Sequence, residues 1–166
     1  MNLIELLKKR SSVREFLDKP ISKEDLEKIV DAARYAPTAR NVQPWEFLIV
    51  IEKEVLRKIS GITEHGKFIA NGAACILVFS QDTKYFLEDC SAATQNLMLA
   101  AEALGIGSCW VAGDKKPYAG ELNLLLGVPS TLKLVSIIAL GYPPRDKILP
   151  AVKKRSLEEV IHWGKF

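Results

Sequence analysis

The sequence predicts an α+β fold: one domain over residues 1–166, with several strands separated by helices and an extended arm at each end. Three observations carry this reading. The chain is 48% hydrophobic and 26% charged with few Gly and Pro, a globular composition long enough to bury a core without disulfide or metal staples. Short β-branched or continuous apolar runs recur at 46–51, 74–80, 108–112 and 132–140, the length of strands. Between them stand stretches whose apolar residues follow helical spacing. There is no internal repeat, low-complexity stretch or long linker.

Taken in order, residues 2–9 form a short helix with Leu3, Ile4 and Leu7 on one face and cations at its C-terminus, where they suit the macrodipole. In the "KRSSVREF" stretch that follows, Ser12 and Glu15 fit a capping box opening a second helix, which Pro20 limits to about two turns. Ser22-Lys-Glu-Asp25 starts the next helix, which continues through Leu26, Ile29, Val30 and Ala33 and ends by Pro37. Glu46–Ile51 is a strand, and a charged helix follows through Lys58. The unbroken apolar run Ala74–Ser80 predicts a strand covered on both faces.

Residues 85–104 give the longest helical pattern. Its alanines at 92, 93, 100, 101 and 103 favour helix and permit close approach. With Leu97, Leu99 and Leu104, it is apolar around much of its circumference, as a central or interface helix would be. Gly105 and Gly107 end it, Ser108–Ala112 is a strand, and 118–126 a helix. Leu132–Leu140 is the last strand, closed by Gly141-Tyr-Pro-Pro144. From Ala151 the tail is basic, then carries a Ser156-x-x-Glu159 cap and a final short helix or extension.

Several function classes fall away. A net charge of +3 gives little electrostatic support for a nucleic-acid partner. Cys75, Cys90 and Cys109 are widely spaced and lie in apolar runs, which suggests reduced thiols and a cytoplasmic chain. His65 and His162 are far apart, so no metal site is expected. No signal peptide or membrane-spanning run is visible, so no membrane partner is expected. The phosphate-binding loop, the serine nucleophile elbow and the paired-histidine zinc motif are all missing. An enzyme with this sequence would borrow its reactive group from a cofactor.

Three polar clusters stand out. One is Arg10-Ser11-Ser12-x-Arg14, the second runs from Pro37 to Trp45, and the third is Lys153-Lys154-Arg155. Each has a plain structural reading, as helix punctuation, a capping loop anchored by Trp45, and a solvated basic run. Together they also fit an anion site, since guanidinium forks and hydroxyls match phosphate oxygens while short amides bond a polar heterocycle.

The ordered set "KRSSVREF", "AARYAPTARNVQPWEFLIV", "DCSAATQNLMLAAEALGIGSCWVAG", "LGYPPRDK" and "KKRSLEEVIHW" resembles the nitroreductase family of FMN-dependent oxidoreductases, nearly end to end. The resemblance implies a central mixed, mainly antiparallel sheet flanked by helices. It also implies an intertwined homodimer with extended terminal arms and FMN at the interface. By matching position, Arg10 and Ser12, helped by Ser11, would hold the FMN phosphate with Lys154 or Arg155. Arg14 would stand at the pyrimidine edge. Thr38, Asn41 and Gln43, with Pro37 and Ala39, would line the flavin from the partner subunit, and the Val111-Ala112-Gly113 backbone would pass its N5.

The implied activity is ping-pong hydride transfer from NAD(P)H through FMN to a nitroaromatic, quinone or similar small-molecule acceptor, with no catalytic side chain and no metal. Two departures bear on it. Ser156 stands where many members have proline, which leaves the phosphate role shared between Lys154 and Arg155, and the 113–132 segment is compact. The alternatives are a specialised flavin enzyme, dehalogenating or flavin-fragmenting, and a flavin-binding redox sensor without turnover. A basic nucleic-acid binder is the weakest reading.

Overall fold

The strand at the centre of the chain, β2 (Ala74–Ser80), has all seven residues buried, as its unbroken apolar run requires. The structure is a computed structural model that describes residues 2–144 and 154–166. β2 pairs on one side with β1 (Trp45–Val50) and on the other with β4 (Lys133–Gly141), which in turn pairs with β3 (Gly107–Ala112). All three pairings are antiparallel, in the order β1-β2-β4-β3. β1 begins one residue earlier than expected, and Gly107 opens β3 instead of closing the helix before it.

Two apolar layers sandwich this sheet. On one face α2 (Lys23–Ala33) and α4 (Phe86–Ala103) pack against Ile76, Val78, Ile138 and Leu140. On the other, α3 (Lys53–Ile62) and α5 (Ala119–Leu126) cover Cys75, Leu77, Phe79 and Ile137. The Ser22 hydroxyl caps α2 by accepting from the Asp25 N–H at 3.1 Å, as its sequence signature indicates. β4 carries one extra residue, Val135, opposite the Val78–Phe79 step of β2.

The N-terminal helix, α1 (Leu3–Lys9), forms behind a capping box in which Asn2 and Glu5 exchange side-chain and backbone bonds. None of its residues is buried, so the Leu3-Ile4-Leu7 face points outward. The second helix expected from Ser12 and Glu15 does not form. Residues 10–16 are extended instead, and Val13 N–H donates to Ser108 C=O at 2.9 Å. One isolated parallel bridge, Ser12 with Ser108, lays this arm along β3, and the four-stranded sheet itself is wholly antiparallel where a mixed one was expected.

Two glycines explain the difference. Gly107 and Gly141 face each other across β3 and β4. A Cβ at Gly107 would lie 2.8 Å from Val13 Cβ, and one at Gly141 2.7 Å from Phe16 Cγ. The arm occupies the slot they leave, with Val13 4% exposed. A two-turn helix in water is marginal on its own, so docking into this slot wins. At the other end, Ser156 N–H donates to Glu159 Oε2 at 2.7 Å, so the expected cap closes a turn over 157–160. Lys153 lies outside the described residues.

Gly141→Ala is expected to lower stability by about 1–3 kcal/mol in urea denaturation, because Phe16 must move. Gly120→Ala, in α5 with nothing within 4 Å of its added Cβ, should be neutral or stabilising. Burial, reinforced by the Asp89 charge and opposed by the Ser80 hydroxyl, pushes the fully buried Cys90 thiol up to about 11. The unfolded thiol ionises first as pH rises, so the native state binds more protons and loses stability. Stability should therefore fall between pH 9 and about 11, and Cys90→Ala should flatten that slope in urea titrations across this range.

Candidate functional site

Val13 points into the glycine slot, and Arg10, Ser12 and Arg14 of the same extended arm reach the surroundings of Cys109 on β3. The β3 thiol of Cys109 senses all three: burial pushes it up, against Arg14, the Ser12 hydroxyl and Arg10, which pull it down. Two guanidiniums and the Ser12 hydroxyl are thus gathered along one sheet edge, with Ser11 beside them in the arm. Arg14 also stands 5.8 Å from the centre of the Phe68 ring.

The main chain of β3 completes this edge. Ser108 C=O turns outward to Val13, whereas Gly113 N–H turns inward to Val135 C=O at 3.1 Å. Strand alternation therefore directs the N–H groups of Trp110 and Ala112 to the outer edge. Asp114 N–H also donates to Val135 C=O, at 3.2 Å. A Cβ at Gly113 would meet Leu134 Cγ at 2.6 Å, so this glycine serves close approach to β4. The Tyr118 hydroxyl donates to Ala112 C=O and ties the start of α5 to the end of β3. Arg14, Phe68, His65, Ala112, Lys116 and Tyr118 line a cavity of about 270 Å³ against this edge. A larger and more open hollow beside α5 contains Gly113 but none of the arginines.

The second polar cluster lies elsewhere in the chain. Thr38 Oγ1 donates to Asp89 Oδ2 at 2.8 Å and accepts from Gln43 N–H at 3.1 Å, and Ala39 N–H donates to Asp89 Oδ1 at 3.2 Å. The Thr38 hydroxyl thus links the loop to α4 as donor and to residue 43 as acceptor. Arg40, Asn41 and Gln43 hold φ of 54°, 56° and 51°, left-handed values that cost a non-glycine residue roughly 1–2 kcal/mol each. Their side chains, like that of Pro37, are exposed.

Arg10, Ser11, Ser12, Arg14, Ala112 and Gly113 thus meet at the β3 edge. Pro37, Thr38, Ala39, Asn41 and Gln43 precede β1 on the opposite edge of the sheet, which lies three strand spacings, roughly 14 Å, from β3; Ser12, paired with Ser108, lies beyond β3 and toward the other end of the sheet. Lys154 and Arg155 are exposed in the C-terminal tail. Sequence reading missed Asp89, whose only local signal is an acidic residue in the first turn of α4. It also missed Phe68 and Tyr118, which have no polar signature. Among the described residues, no group of three His, Cys, Asp or Glu is placed to hold a metal ion.

The sequence profile of the nitroreductase family matches residues 7–66 and 61–142. A relative from Archaeoglobus fulgidus, provisionally named an NADH dehydrogenase/NAD(P)H nitroreductase, is 38% identical over 170 residues and covers 98% of both chains. An iodotyrosine deiodinase from Thermotoga neapolitana is 30% identical over 171 residues, covering 87% of this chain and 90% of its own. Among solved structures, an FMN-dependent nitroreductase from Clostridium difficile superposes with a TM-score of 0.88 at 31% identity, spanning 99% of this chain and 100% of that one.

Proposed function

The chain belongs to the nitroreductase family, and from that membership we infer that it is an FMN-dependent oxidoreductase, taking hydride from NAD(P)H and passing it to a nitroaromatic, quinone or similar electron-poor acceptor. The observation that carries this reading is the gathering of Arg10, Ser12 and Arg14 around Cys109, beside the outer edge of β3. That donor set fits FMN: forked cations and hydroxyls suit a phosphate, and outward N–H groups suit a flavin edge. When bound, FMN supplies the centre that accepts and returns hydride.

The chain's own residues bind and orient. Arg10, Ser11 and Ser12 hold the phosphate, with Lys154 or Arg155 from the tail. Arg14 places positive charge at the pyrimidine edge and so favours the reduced, negatively charged cofactor. The outward Ala112 N–H, fixed by the Tyr118–Ala112 bond and the Gly113 turn, offers a donor in place of water. No side-chain nucleophile is needed.

The site is completed by a second copy of the chain. A cavity of about 270 Å³ falls below the roughly 300–1,000 Å³ that encloses a drug-sized ligand. The 37–43 loop cannot supply the missing wall within one chain, because it stands on the far edge of the sheet. Apolar surface calls for a partner as well: α1 turns Leu3, Ile4 and Leu7 outward, and Trp163 and Phe166 are 89% and 101% exposed. In a C2 homodimer that covers these residues, we place the partner's Thr38, Asn41 and Gln43 at the Arg14 edge, as the resemblance to the family implies. All three cysteines are free and buried, in keeping with a reduced, cytoplasmic setting. No described helix is long and apolar enough to cross a membrane.

The likeness to an iodotyrosine deiodinase favours a second reading, a reductive dehalogenase using the same cofactor site. A panel holding nitroaromatics, quinones and halogenated tyrosines separates the two by which acceptors are turned over. The purified protein is expected to show flavin absorption that bleaches with anaerobic NADH or NADPH and returns on adding acceptor. Arg14→Ala should weaken FMN binding by about ten- to a hundredfold and lower the flavin potential. An unchanged potential would remove Arg14 from the pyrimidine edge.

A further inference from the structure

We propose that Asp89 is a positioning residue for the cofactor site: from the first turn of α4 it locks the 37–43 loop in the strained shape that presents Asn41 and Gln43 to a flavin held by the partner subunit. The inference rests on the reading of that loop as a partner-side flavin contact. Its own support is geometric. Asp89 is 6% exposed, yet both carboxylate oxygens are engaged, Oδ2 by the Thr38 hydroxyl at 2.8 Å and Oδ1 by the Ala39 N–H at 3.2 Å. These are the bonds that order the loop from outside it.

The Thr38 hydroxyl, committed as donor to Asp89, is left as acceptor for Gln43 N–H at 3.1 Å. One buried carboxylate thereby sets the orientation of a hydroxyl and, through it, the position of residue 43. Arg40, Asn41 and Gln43 adopt left-handed backbone that L residues leave when nothing holds them. A loop bound in this way has little ordering left to do when a ligand arrives, which raises affinity and fixes the bound geometry. Without the carboxylate, Thr38 Oγ1 and Ala39 N–H lose their buried acceptor and the loop relaxes toward ordinary backbone.

The test uses the FMN-loaded wild type, Asp89→Asn, Asp89→Ala and a control, Ser136→Ala. Ser136 is fully buried and bonds Thr94 at 2.7 Å without touching the loop. FMN affinity is read by quenching of flavin fluorescence. The visible circular dichroism of the flavin is read at saturating FMN, and the melting temperature of the apoprotein alongside.

Asp89→Ala should weaken FMN about tenfold or more and change the dichroism at saturation; Asp89→Asn, which keeps one carbonyl acceptor, should lie between it and wild type. Ser136→Ala should lower the melting temperature with affinity and dichroism unchanged. The proposal is overturned if Asp89→Ala leaves both flavin readouts as in wild type. It is equally overturned if Ser136→Ala, for a similar loss of melting temperature, changes both flavin readouts to the same extent as Asp89→Ala. A wild type that takes up no FMN overturns instead the functional reading on which it rests.

Discussion

Both halves of the proposed site hang from one rigid element, α4. Near its start Asp89 binds the 37–43 loop, and near its end Glu102 pairs with Lys9 at 3.3 Å, next to the residue that opens the Arg10–Arg14 arm. Asp89 and Glu102 stand roughly 20 Å apart along the helix axis. That spacing keeps the two halves from meeting within a chain. It is maintained because α4 is packed against the sheet through Ala93, Leu97 and Ala101, all fully buried. Thr94 adds a buried bond to Ser136 of β4. The alanines that make α4 a good helix also let it lie close to β4 and β2.

A second constraint acts on the arm. Arg10, Ser12 and Arg14 lie along β3 only because the segment is extended, and its own residues do not impose that. The facing glycines of β3 and β4 do, by leaving room for Val13 and Phe16. The turn after β3 follows the same logic at Gly113, where β4 comes close and the extra residue Val135 offers one carbonyl to two N–H groups. Function at this edge thus depends on main-chain proximity that only glycine permits, and the side chains that touch a ligand are carried by it.

Much of this was legible in the sequence. The buried run of β2, the Ser22 cap of α2 and the long alanine-rich α4 announce themselves by local composition, and the structure has them within a residue or two. The nitroreductase resemblance likewise holds through the family match. What was missed depends on contacts distant in sequence. Ser12 and Glu15 read as a helix start because capping chemistry is local, whereas the slot that overrides it comes from residues 107 and 141. Gly107 read as a helix terminator because glycine has that meaning in isolation. Asp89 gives no sign in the sequence of its partner, because Thr38 is 51 residues away.

The central claim is that a flavin site forms from the arm of one subunit and the loop of the other, and subunit mixing tests it directly. An Arg10→Ala/Arg14→Ala chain and an Asn41→Ala/Gln43→Ala chain would each be defective as homodimers. In the mixed dimer, one site combines the intact arm of one chain with the intact loop of the other. Co-expressing the two should restore tight FMN binding in about a quarter of all sites, read as flavin retained per protein. Retention no higher than the mean of the two defective homodimers would contradict the account, because each site would then be built from a single chain.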